Sequence, residues 1–181
     1  FKVEGLDGNT YTLRIHRKGY HDLHELNSEH VWTSSLSNAG LLVPEAVITR
    51  SGEAYTSVSF FNSSEYRYVG LVKWIEGTIL NDLILGLEEE DVSDVYESLG
   101  KVVAKFHKAT IAWEKPKDFK RHSFDTDGFL GSKPFWGRFW EAQNATTRER
   151  EKLSLIRNNI TESLSKLPKD INSFGMIHAD L

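Results

Sequence analysis

The sequence predicts an α+β chain in which a small sheet carrying one helix precedes a mostly helical region. Three observations predict it. Short alternating stretches bounded by turn residues fill residues 1–75. One helix-like stretch, Asp22 to Ala39, interrupts them. The clearest helical stripe, Val92, Val95, Leu99, Val102, Val103 and Phe106, comes only afterwards.

Each element has its own signal. Phe1 to Glu4 and Thr10 to Arg17 read as two strands of a hairpin, with turn residues at Gly5 to Asn9. On the second strand Thr12, Arg14 and His16 share one face, and Tyr11, Leu13 and Ile15 the other. In the helix, Leu23, Leu26, His30 and Val31 fall at helical spacings, and Gly40 stands where a helix stop belongs. Val43 to Ile48, Tyr55 to Phe61 and Tyr66 to Ile75 read as three further strands. Thr78 to Leu87 is a short helix or turn. Asp91 or Ser93 caps the long helix, which runs to about Thr110. The acidic run from Glu88 to Asp91 lies at its start, where the helix dipole favours negative charge. Ile111 to Lys133 reads as loop. Phe135, Trp136, Phe139 and Trp140 form an aromatic cluster, read as the core packing of an amphipathic helix. Thr146 or Thr147 caps a last helix with Leu153, Ile156, Ile160, Leu164 and Leu167 on one face, ended by Pro168. Ile171 to Asp180 is expected to be extended, with Phe174 to Ile177 an apolar strand. The join between the two regions falls near Glu76-Gly77, with no long linker, so two lobes that pack together are expected.

Composition narrows the functional classes. The 181 residues carry 22 Lys and Arg against 26 Asp and Glu, a net charge of −4. A protein held on nucleic acid by bulk charge usually shows a basic excess, so no nucleic-acid partner is expected. No apolar run is long enough to span a membrane, and no charged-then-apolar leader is visible, so a cytoplasmic protein without a membrane partner is expected. The absence of Cys excludes disulfides, thiolate zinc sites and thiol catalysis. Glycosylation-type triplets at Asn62, Asn144 and Asn159 are read as chance matches. The chain begins at Phe1 without Met and stops at Leu181, directly after the strand-like run. A fragment cut at both ends is therefore expected.

Several residues are candidates for chemistry. His178-Ala-Asp180 follows an apolar strand, a common way to set a base at a cleft. The plain reading is a His bonding a backbone carbonyl and an Asp capping a turn. Arg14 stands inside an apolar strand, so it lies on an open face or meets an anionic partner. Glu29, on the following helix, pairs with it if that helix packs on the sheet; otherwise it is solvated. His16, His21, His24 and His30 cluster in sequence, but their spacing matches no metal motif, and surface histidines are the plainer reading. Ser123 to Gly128 has a calcium-loop look without the later ligands, and is read as a turn.

Taken in order, the segments Tyr11-Thr-Leu-Arg-Ile-His-Arg17, Leu42-Val-Pro-Glu45, Gly70-Leu-Val-Lys-Trp-Ile-Glu-Gly77, Leu99-Gly-Lys-Val-Val-Ala-Lys-Phe-His107, Phe135-Trp-Gly-Arg-Phe-Trp-Glu141 and Gly175-Met-Ile-His-Ala-Asp-Leu181 run the length of the chain. So arranged, the chain resembles the aminoglycoside phosphotransferase family, small-molecule kinases that include choline-kinase-like and homoserine-kinase-like members. The resemblance implies an incomplete, two-lobed, protein-kinase-like fold. Residues 1–75 would be a small antiparallel-sheet N-lobe with one helix, without the first strand and phosphate loop. Residues 76–181 would be a mostly helical C-lobe ending at the catalytic loop.

The resemblance also implies roles. Arg14 stands where such kinases usually place the Lys that grips the ATP phosphates, and Arg can hold phosphate bidentately. Thr12 would roof the adenine. Glu29 would orient the basic residue. Lys73, Trp74, Ile75 and Glu76 would form the hinge, whose backbone bonds the adenine edge. Asp180 would be the catalytic base toward a substrate hydroxyl, and His178 would brace its loop. ATP and Mg2+ are the implied cofactors. No metal ligand is expected within the chain: an Asn about five residues past Asp180 and a later Asp would hold the metal, beyond Leu181. The fragment alone is then expected to be inactive, and to expose an apolar face where the rest of the helical lobe packs.

The function these readings imply is transfer of the γ-phosphate to a hydroxyl of a small molecule. A catalytically inactive kinase-like protein that binds nucleotide or another ligand is the alternative. A metal-dependent hydrolase built on His178 and Asp180 would need further ligands.

Overall fold

The computed structural model describes residues 1–59 and 61–179. Its elements follow as β1 (Lys2–Glu4), β2 (Thr10–Ile15), α1 (Leu23–Asn38), β3 (Tyr55–Ser59), β4 (Tyr66–Lys73), α2 (Leu80–Ile84), α3 (Glu89–Ala112), α4 (Thr126–Leu130), a 3-10 turn at Phe139–Glu141, and α5 (Thr147–Ser165). Phe1–Lys120 and the segment from Gly175 form one compact unit, and Arg121–Phe174 a second. The join expected near Glu76-Gly77 falls inside the first unit.

The first unit is built on a four-stranded antiparallel sheet in the order β1-β2-β4-β3. Its register sets Arg14 opposite Gly70, and Gly70 in turn opposite Tyr55. These three residues form one row across one face of the sheet. Thr12 lies one pleat away, between Lys2 and Val72.

The expected strand at Val43–Ile48 is instead one isolated bridge, Ala46 to Val72. Two backbone bonds flank it, Val47 N to Leu71 O at 2.8 Å and Lys73 N to Glu45 O at 2.9 Å. Pro44 has no N–H to extend the ladder, and a turn closed by Thr49 N to Glu53 O at 2.8 Å ends it on the other side. The stretch therefore edges the end of β4 without forming a strand of its own.

A reciprocal cap starts α1. Asp22 Oδ1 accepts from Glu25 N at 2.8 Å, and Glu25 Oε2 accepts from Asp22 N at 3.0 Å. Gly40 ends it in the left-handed region, φ +82°, which lets Leu41 N reach Leu36 O at 3.1 Å. Leu26 and Leu36 of α1 are buried with Val43 and Ala54, the core of this unit.

Helix α3 begins at Glu89, ahead of the expected caps Asp91 and Ser93, and no side chain caps it. The acids of its first turn complement the helix dipole instead. Its apolar stripe has no fully buried residue, and Val102 is 46% exposed.

The second unit has a separate core of Leu130 and Trp140. The Arg157 guanidinium lies 4.2 Å from the centre of the Trp140 ring and donates to Leu130 O from Nε and Nη2 at 3.1 and 2.7 Å. Within the stretch expected to be loop, Asp125 caps the short helix α4 by accepting from Gly128 N at 2.9 Å. The Lys169 ammonium, 2.8 Å away, leads the causes that hold the Asp125 carboxyl below its ordinary range. A Cβ on Gly128 would stand 1.7 Å from Ser123 O, so only glycine fits there. The aromatic segment is a 3-10 turn rather than an amphipathic helix. His122 stacks on Phe135 at 3.6 Å, and Phe124, Phe129 and Trp136 pack around one another. Thr146 caps α5 in a second reciprocal box with Glu149.

The expected strand at Phe174–Ile177 does not form. Asp170 folds the chain before it, accepting from the N–H groups of Asn172, Ser173 and Phe174 through its side chain and carbonyl. Residues 174–177 pair with no strand among the described residues.

Candidate functional site

Arg14 and Glu29 meet. Arg14 Nη1 donates to Glu29 Oε1 at 2.6 Å. The sheet presents Arg14 near the end of β2, and α1 packs so that Glu29 faces it. The Glu29 side chain is 17% exposed and that of Arg14 45%. The carboxylate is thus largely withdrawn from water, while the guanidinium keeps an open side. Nη1 is spent on Glu29, and the half-exposed guanidinium retains further donors for an anion.

Glycine at position 70 shapes the ground beside Arg14. A Cβ there would stand 2.8 Å from Cδ1 and Cε1 of Tyr55, so that edge of the ring occupies the place of the missing side chain. His16, two residues after Arg14 on the same face, packs edge-on to Tyr55 at 5.4 Å. Nothing in the sequence pattern named Tyr55. A glycine in mid-strand was the available signal, since it often marks a close approach.

The hinge candidates do not share one environment. Lys73 Nζ pairs with Glu45 Oε2 at 2.5 Å, and that bond raises the lysine pKa. Its backbone N–H is spent on Glu45 O, and that of Trp74 on Thr10 O at 3.2 Å. Ile75 and Glu76 donate to no backbone carbonyl among the described residues. Lys2 Nζ lies 4.5 Å over the Trp74 ring.

The histidines separate. His21 precedes α1 and lies 3.5 Å from Glu25, whereas His24 bonds the Asp118 carbonyl. Among the described residues no group of three or more His, Asp or Glu is placed to hold a metal. His178 is exposed. Ala179 beside it has φ +67°, a left-handed conformation that costs a non-glycine residue about 1 kcal/mol. Asp180, the expected base, lies outside the described residues.

A family model described as "Phosphotransferase enzyme family" (APH) matches residues 1–181. The chain belongs to this family. A comparison with curated proteins gives no match. Among solved structures, the chain is similar to a microcompartment-associated aminopropanol kinase, with 27% identity and a TM-score of 0.72 over 95% of this chain and 51% of that one. It also has the fold of the amicoumacin kinase hAmiN, solved with AMP-PNP, Ca2+ and Ami, with a TM-score of 0.74 at 16% identity, over 99% of this chain and 49% of that one. The APH chain thus spans about half the length of these kinases. The small antiparallel sheet with its helices is the incomplete kinase-like fold expected of it. No helix among the described residues is long and apolar enough to cross a membrane.

Proposed function

We propose that the protein containing this chain is a cytoplasmic ATP-dependent kinase that transfers the γ-phosphate to a hydroxyl of a small molecule. The single observation that carries the reading is the Arg14–Glu29 pair, formed within a chain that matches the phosphotransferase family throughout. The name of the aminopropanol kinase supports a hydroxyl acceptor, and the AMP-PNP of the amicoumacin kinase supports a nucleotide donor.

In this reading Arg14 holds the α- and β-phosphates with the open side of its fork. Glu29 fixes the guanidinium plane, and its charge keeps the pair neutral until the phosphates arrive. Thr12, on the same face, roofs the adenine. At the hinge, Ile75 and Glu76 are the residues whose N–H groups remain for the adenine edge. Asp180 accepts the proton of the substrate hydroxyl as its oxygen bonds the γ-phosphorus and the bond to the β-phosphate oxygen breaks. His178 braces that loop. Magnesium, when bound, neutralises the phosphate charge; no residue described here is assigned to it, and no step of this chain is routed through it.

The test uses the intact protein, with ATP and a panel of small amino alcohols and aminoglycosides. ADP release that depends on an acceptor is expected. Asp180→Ala should lower turnover by several orders of magnitude and leave ATP affinity nearly unchanged. Tight ATP binding without acceptor-dependent turnover would favour a non-catalytic binding protein instead.

A further inference from the structure

The helix that carries Glu29 is poorly equipped to hold its own position. Its second half, Val31-Trp-Thr-Ser-Ser-Leu-Ser-Asn38, is rich in weak helix formers. Thr33 and Ser35 bond back to the carbonyls of His30 and Trp32 and so compete with the helix ladder. Only Leu26 and Leu36 bury apolar side chains fully. Such a helix depends on tertiary contacts for its placement.

Beside the apolar anchors Leu26 and Leu36, several polar contacts to the helix come from one place. Ser28, immediately before Glu29, is 5% exposed. Its Oγ accepts the backbone N–H of Lys120 at 2.9 Å, from 92 positions away. Lys120 Nζ also pairs with the cap residue Asp22, and His24 bonds Asp118 O. Further along the helix Trp32 Nε1 donates to Thr110 Oγ1 of α3 at 3.1 Å. Residues 110–120 therefore grip α1 on the turns that bracket Glu29.

These contacts differ in weight. The Lys120–Asp22 pair is half-exposed at both partners and contributes little. The Ser28 bond is part-buried, with the Ser28 side chain itself almost wholly out of water, so its loss weighs more.

We propose that Ser28 is a positioning residue for nucleotide binding: the bond from this buried side chain to the Lys120 backbone fixes the rotation of α1 so that Glu29 presents Arg14 to the phosphates. The inference deepens the kinase reading and rests on it. It specifies that Ser28 acts through Glu29, so its loss is felt by the phosphates and not by the adenine.

The experiment measures dissociation constants of AMP-PNP and of adenosine for the intact protein and for Ser28→Ala, Ser28→Cys, Ser28→Thr and Lys120→Met. Ser28→Ala is expected to weaken AMP-PNP about five- to tenfold and leave adenosine unchanged. Ser28→Cys keeps the volume with a weaker acceptor and should fall between Ala and Ser. It also serves if the Ala variant does not fold. Ser28→Thr keeps the hydroxyl and should restore affinity. Lys120→Met keeps the backbone N–H and should bind as the wild type does. Equal loss of AMP-PNP and adenosine would show a general structural role and overturn the proposal. So would unchanged AMP-PNP affinity in both Ala and Cys variants. A wild-type protein that binds no AMP-PNP would overturn the kinase reading itself, and this inference with it.

Discussion

Arg14 and Glu29, fifteen positions apart in the chain, are joined at 2.6 Å between a strand and a helix. One partner is half in water and the other mostly out of it. An asymmetric pair of this kind stabilises the fold only modestly, since its exposed member is well solvated. Its value lies in orientation. Arg14→Met should therefore cost little thermal stability but weaken ATP by about ten- to a hundredfold, the usual weight of a charge-assisted grip. Arg14→Lys should retain part of the affinity, because a point charge remains but the planar fork does not. Isothermal titration of the three proteins checks this. Equal affinity in all three would remove Arg14 from the site.

Tyr55 and Gly70 form the ground next to that pair. Adding a methyl group at Gly70 forces it to within 2.8 Å of the phenol ring, closer than such contacts occur. The sheet holds Gly70 between two ladders, so the ring must move. Overpacking of this sort costs about 1–3 kcal/mol. Gly70→Ala should lower the melting temperature by several degrees. The double change Gly70→Ala with Tyr55→Leu should recover much of the loss. If the double variant is no more stable than Gly70→Ala, the ring is not what resists the methyl group.

Acid should loosen the start of α1. The Lys120 ammonium, followed by the Glu25 N–H, holds the Asp22 carboxyl below its ordinary range. A carboxyl whose pKa is lowered by folding contributes stability above its unfolded pKa, near 4. That contribution is lost as pH falls through the lower, folded value. Asp22→Asn should accordingly be less stable than the wild type at neutral pH, and the two should converge as the pH falls through the lowered, folded value. Melting curves across that range decide it. A constant gap down to the lowest pH would mean that charge at Asp22 is not involved.

Much of this arrangement was legible in the sequence, for reasons that can be named. Arg14 stood out as a charge in an alternating strand. Glu29 sat on a helix whose apolar spacing and stop, Gly40, are local signals. Those signals act within a few residues, so the sequence displays them. Val43–Ile48 misled because alternation cannot tell a strand from a single bridge beside a proline. Phe174–Ile177 misled because an apolar run names no pairing partner, and the Asp170 turn before it set the path of the chain. Ser28 carried no mark at all. Its partner is a backbone N–H 92 positions away, and backbone groups have no sequence signature. Tyr55 was hidden for a similar reason, since only the register with Gly70 gives it a place.

The end of β4 offers the last test, because there the backbone itself is assigned a role. Of the four hinge candidates, Lys73 and Trp74 have already given their N–H groups to Glu45 and Thr10. An adenine edge needs a donor, so it must come from Ile75 or Glu76. Proline removes that donor while keeping an extended chain, and neither position lies in a strand or helix. Ile75→Pro and Glu76→Pro, made separately, should include one variant that weakens AMP-PNP and adenosine alike, by about three- to tenfold for one lost hydrogen bond. Arg14→Met should weaken AMP-PNP while leaving adenosine unchanged. The two ends of the nucleotide would then be told apart by which ligand each variant loses. If neither proline variant changes adenosine binding, the adenine does not bond this backbone, and the hinge assignment of residues 73–76 falls.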